Sequence, residues 1–137
     1  MGKNREAVVR EFHKAFGIAI DEVPTASLLK LRKTLIEEEV RELFAEIDAA
    51  IDLISKNEHV PHEIYANMLK ELADVQVVLS GTSVALLPLK RLHEAFLRVH
   101  ISNMSKLDEH GKPVYRADGK VLKGLNYTPP TVSDLVE

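Results

Sequence analysis

The 137-residue chain has no cysteine and no tryptophan. The missing cysteine excludes disulfides, cysteine zinc ligands and thiolate nucleophiles. Aromatic residues make up only 5% of the chain, so stacking platforms for single-stranded nucleic acid are not expected. A net charge of −3 likewise argues against a general polyanion binder. No apolar run approaches the ~18 residues of a membrane span. The best stretch, Val75 to Leu89, is broken by Ser80, Gly81, Thr82, Ser83 and Pro88. Residues Met1 to Glu6 carry no apolar h-region, so no secretory signal is expected. A soluble cytoplasmic protein without a membrane or nucleic-acid partner is the expectation, built as one domain over residues 1–137.

Glycine and proline are also sparse at six each, and three of each fall after residue 110. The first 105 residues therefore read as helices with short joints. The spacing of Val8, Val9, Phe12 and Phe16 predicts a helix from about Arg5 to Phe16, ended by Gly17. Thr25 or Ser27 caps a second helix that runs to about Ser55. A third runs from about His62 to Leu87. Its β-branched part, Val75 to Thr82, is compatible with a strand, but the helical period continues into Val84 and Leu86. Pro88 opens a fourth, where a missing N–H costs little, and it runs to about Lys106. Beyond Leu107 the glycines and prolines rule out a long helix. The fold class is all-α: a bundle of four main helices with an irregular C-terminal tail.

Charge is unevenly placed on this frame. Six acids and one base lie between Glu37 and Asp48, whereas Lys106 to Tyr127 holds five Lys or Arg against three acids. With Leu35 at zero on a helical wheel, Leu28, Leu31 and Leu53 fall within about 40° and mark the apolar stripe. Glu39, Glu42 and Glu46 share that stripe, Glu38 lies about 60° to one side, and Glu37, Arg41 and Asp48 point away as solvated surface. In the third helix Glu71 sits among Ile64, Val75, Val78 and Thr82, with Asp74 one turn on. In the fourth, Asn103 and Lys106 continue a stripe begun by Leu92, Phe96 and Val99.

Acid runs on long helices usually face solvent. Acids that replace stripe positions on two helices are different, because buried carboxylates must either take up protons or meet a cation. Converging Asp and Glu oxygens suit a hard divalent ion, Mg²⁺ or Mn²⁺, with positions left open for water and phosphate. The six histidines show no metal-ligand spacing, and no serine elbow or P-loop occurs.

Glu38-Glu39-Val40-Arg41-Glu42 reads as E-E-x-x-E, and Glu71-Leu72-Ala73-Asp74 as E-x-x-D. In this order the pair resembles the signature of the MazG-like all-α nucleoside triphosphate pyrophosphohydrolases. The short branch related to the dimeric dUTPases is the most similar. Leu31-Arg32-Lys33-Thr34-Leu35, Asn103-Met104-Ser105-Lys106, Asp118 to Gly124, Tyr127-Thr128-Pro129-Pro130 and the opening Glu11 to Gly17 extend the resemblance along nearly the whole chain. It implies cleavage of a (d)NTP, with dUTP or dCTP as preferred substrates, to the monophosphate and pyrophosphate in nucleotide-pool house-cleaning. It also implies Mg²⁺ or Mn²⁺ on Glu39, Glu42, Glu71 and Asp74, with Glu38 orienting or deprotonating the attacking water. Asn103, Lys106, Lys120, Lys123 and Tyr127 would contact the substrate, and Phe12 or Phe16 the base. Such enzymes are homodimers or homotetramers, so the bundle would assemble with a second chain. The competing reading is a non-catalytic helical dimerisation or interaction module that retains the bundle.

Overall fold

The computed structural model describes residues 3–136 and is all-α apart from one small hairpin. Four α-helices are found among the described residues: α1 (Arg5–Phe16), α2 (Ala26–Ser55), α3 (His62–Ala85) and α4 (Leu92–Met104). The chain divides into two compact units, Met1–Lys90 and Arg91–Glu137. No helix among the described residues is long and apolar enough to cross a membrane.

In the first unit local chemistry sets the helix ends. Asn4 caps α1 by accepting from the Ala7 N–H at 2.8 Å, and Thr25 caps α2 by accepting from the Leu28 N–H at 3.1 Å. Gly17 ends α1 in the left-handed region at φ 66°, where its N–H reaches the His13 carbonyl. Val75 to Thr82 is helical throughout. The buried end of α3 is made of small residues, with Ser80, Gly81, Ser83, Val84 and Ala85 all in the core, and α3 packs on both α1 and α2. Val9, Leu43, Ala50, Val60 and Leu86 fill the rest of the first unit's core.

Two boundaries differ from the sequence reading. α3 stops at Ala85 because Leu86 is extended (φ −110°, ψ 114°) and bridges Glu22 in parallel. The segment after α1 there takes over the last α3 carbonyls. Asp21 N–H donates to Val84 O at 2.8 Å, Glu22 N–H to Ala85 O at 2.9 Å, and the Leu87 N–H returns to Glu22 O at 2.9 Å. Arg10 holds that segment through a two-pronged ion pair to Asp21 at 2.9 and 3.0 Å. The fourth helix does not open at Pro88, which instead lies in a 3₁₀ turn, Leu87–Leu89, with the Ser83 hydroxyl donating to Leu89 O at 2.7 Å. α4 starts only at Leu92.

The second unit folds the tail back onto α4. Arg98 grips Asp134 at 2.6 and 2.9 Å and donates to Thr131 O, while the Ser102 hydroxyl donates to Thr128 O at 2.7 Å. Between them β1 (Val114–Tyr115) and β2 (Val121–Leu122) pair antiparallel, Val114 with Leu122 and Tyr115 with Val121. Gly119, at φ 89°, lies in the turn. The tail is thus a hairpin and a strap, more ordered than the irregular segment expected from its glycines and prolines.

Candidate metal centre

α2 and α3 make the most extensive helix contact in the first unit, and Arg32 fixes it. This guanidinium is only 4% exposed. Its Nε donates to Thr82 Oγ1 at 3.2 Å and its Nη2 to Val78 O at 3.0 Å. Thr82 donates to the same carbonyl at 2.8 Å. The approach depends on Gly81, since a Cβ there would clash with Arg32 Nη2 and lie 2.9 Å from His13 Nε2. His13 is itself buried, and its Nδ1 donates to Ala19 O at 2.8 Å. Burial and the neighbouring guanidinium of Arg32 hold its pKa below the usual range.

From this anchor the two helices run antiparallel, which sets Glu39 and Glu42 opposite Asp74 and Glu71. One oxygen from each of the four carboxylates lies within 4.8 Å of all the others. Glu39, Glu71 and Asp74 are half-buried and Glu42 is exposed. Two of the oxygens, Glu39 Oε2 and Glu71 Oε2, are buried without any hydrogen-bond partner. Burial, followed by the charges of Glu42 and Asp74, pushes the Glu39 carboxyl above its ordinary pKa. A cation already leans on the cluster. Lys70 Nζ lies 2.8 Å from Asp74 Oδ2 and 3.4 Å from Glu71 Oε1, and its pKa is driven upward by both.

The donor set fits a hard divalent cation. All four donors are carboxylate oxygens, and their mutual distance allows them to share one ion or an adjacent pair. Two orphaned buried oxygens are what such a set presents when only one lysine, itself largely in solvent, faces it.

The other residues singled out in the sequence are distributed as follows. Glu38 is exposed on α2 and Glu46 is half-buried; neither joins the four. Leu31, expected in the core, is 51% exposed, and Arg32 is inward instead. The buried stripe of α2 runs through Arg32, Glu39, Leu43 and Ala50, rotated by roughly 60° from the one centred on Leu35. That rotation removes Glu38 and turns Glu42 to the edge. Asn103, Lys106, Lys120, Lys123 and Tyr127 all lie in the second unit. There Lys106 O accepts from the Gly124 N–H at 2.9 Å, and Lys123 Nζ sits 4.7 Å over the Tyr127 ring. Phe12 and Phe16 are exposed on α1, their rings 5.1 Å apart. Lys70 and His13 were not picked out by sequence reasoning; the i, i+4 spacing of Lys70 and Asp74 was a readable signal for the first. Compared with known protein families and with curated proteins, the chain matches none.

Proposed function

We propose that this chain is a Mg²⁺- or Mn²⁺-dependent nucleoside triphosphate pyrophosphohydrolase that converts a (d)NTP to the monophosphate and pyrophosphate. The observation that carries the reading is the carboxylate group of Glu39, Glu42, Glu71 and Asp74, with two buried oxygens left without a partner. Hydrolysis of a phosphoanhydride needs charge neutralisation at the phosphate oxygens and a positioned water, and little else from the protein. The cation, when bound, screens the phosphates and lowers the pKa of water. Glu39, Glu42, Glu71 and Asp74 hold it from two helices. Glu38, exposed beside Glu39, is free to accept the proton of the attacking water. Asn103, Lys106, Lys120, Lys123 and Tyr127 are assigned to the triphosphate and nucleoside. Preference for dUTP or dCTP, a house-cleaning role in the cytoplasm and a homodimeric or homotetrameric state belong to the same proposal, on the strength of the motif resemblance.

The alternative of a non-catalytic interaction module draws on exposed apolar side chains such as Leu69 at 70% and Phe96 at 63%. It gives no reason for four carboxylates to crowd together against their own repulsion, so the enzyme reading is preferred. Replacing Glu39→Gln or Asp74→Asn tests it. Each variant should lose pyrophosphate release from (d)NTP with Mg²⁺ or Mn²⁺ while keeping its helical circular dichroism. Full activity in either would remove the site assignment.

A further inference from the structure

The outward face of α2 carries a pattern that solvation alone does not explain. Glu37, Arg41, Phe44, Asp48 and Ile51 follow one another at steps of four and three residues, which forms a straight seam along a helix. Phe44 is 56% exposed and Ile51 55%, two large apolar side chains in the middle of a polar face. Together with Val40, Arg41, Ala45, Glu37 and Asp48, Phe44 lines a shallow open groove. Arg41 and Asp48 have no ion-pair or hydrogen-bond partner among the described residues, although Glu37 is reached by Lys33 at 3.8 Å.

We infer that this face is a two-fold contact between two copies of the chain, with α2 packed antiparallel on α2 of the partner subunit. The charges choose this occupant. Arg41 and Asp48 are seven residues apart, about 10.5 Å at 1.5 Å per residue, and Phe44 and Ala45 lie between them. A two-fold axis beside Phe44 places Arg41 of each copy opposite Asp48 of the other, so both unpaired charges are satisfied twice by one operation. The same axis sets the Phe44 ring of one copy over the small Ala45 of the other, which leaves space for it in the groove. A different partner would need its own complementary pair at that spacing; a second copy supplies it by symmetry. The seam lies roughly 140–180° around α2 from Glu39, so assembly leaves the carboxylates uncovered by this contact.

The inference deepens the homo-oligomer part of the proposed function, and its test separates the two. Sedimentation equilibrium of the full chain is compared for the native protein, Arg41→Asp, Asp48→Arg and the combined exchange, with circular dichroism confirming that each is helical. Each single reversal places like charges opposite one another twice per dimer and should weaken self-association by about tenfold or more. The combined exchange restores both pairs and should return the affinity to within about threefold of native. A native chain that stays monomeric overturns both this face and the oligomer. Self-association that the single reversals leave unchanged, or that the combined exchange fails to restore, overturns the α2 face and keeps the oligomer.

Discussion

Gly81→Ala sets two effects of opposite sign against each other in the centre of the first unit. On helix propensity alone, alanine in the interior of α3 should stabilise the protein by about 1 kcal/mol. The structure predicts the reverse. The added methyl would clash with Arg32 Nη2 and stand 2.9 Å from His13 Nε2, and neither group is the loose end of a surface side chain. Arg32 can withdraw only by giving up its bonds to Thr82 Oγ1 (3.2 Å) and Val78 O (3.0 Å). Hydrogen bonds to a charged group contribute roughly 1.5–3 kcal/mol each, so losing both costs roughly 3–6 kcal/mol. After subtracting the propensity gain, Gly81→Ala should destabilise by roughly 2–5 kcal/mol. Urea unfolding followed by circular dichroism measures this directly, with the slope checked for two-state behaviour. A variant as stable as the native protein, or more stable, would show that Arg32 does not seat against Gly81 and would refute the packing argument.

Three further outcomes follow from the same geometry. Glu39 is held above its ordinary pKa, so the folded state binds the proton more readily than the unfolded chain and its charge opposes folding at neutral pH. Glu39→Gln should therefore raise the melting temperature in chelator; a lower one would contradict the burial and repulsion ascribed to it. His13 has the opposite linkage: its pKa lies below the usual 6.5, so its contribution is complete above that value and is lost as pH falls from there toward the folded-state pKa. Unfolding at about pH 5 and about pH 7.5 should show a smaller pH effect in His13→Gln than in the native protein, and an equal effect would contradict it. Lys70→Gln removes a cation that competes for Asp74 and Glu71, and calorimetric Mn²⁺ titration should give binding about two- to fivefold tighter than native. Weaker binding would show that Lys70 is not a competitor.

Much of this arrangement can be read from the residues, and the remainder depends on contacts far apart in sequence. Local chemistry placed Thr25 and Gly17 at helix ends, where capping and left-handed backbone act within a few residues. The order E-E-x-x-E then E-x-x-D anticipated which four acids meet, because an antiparallel helix pair carries both motifs to the same level. The wheel failed for Leu31 and Glu38. Its zero was set by leucines, whereas the true stripe of α2 is turned by Arg32, which faces inward only because Gly81, far along the chain, leaves room for it. The end of α3 was misjudged for the same kind of reason, since the pairing of Leu86 with Glu22 is not written near either residue. The tail hairpin was legible: Asp118-Gly119 between Val114-Tyr115 and Val121-Leu122 is a turn signal that the emphasis on helix breakers passed over.

The central claim is that these carboxylates serve phosphoanhydride hydrolysis, and the products of a single assay address it. The native chain is incubated with each common ribo- and deoxyribonucleoside triphosphate in Mg²⁺ or Mn²⁺, and monophosphate, pyrophosphate and inorganic phosphate are measured together. The account predicts equal amounts of monophosphate and pyrophosphate from at least one substrate, abolished by chelation. Release of inorganic phosphate with a diphosphate, or no release from any of them, would contradict it.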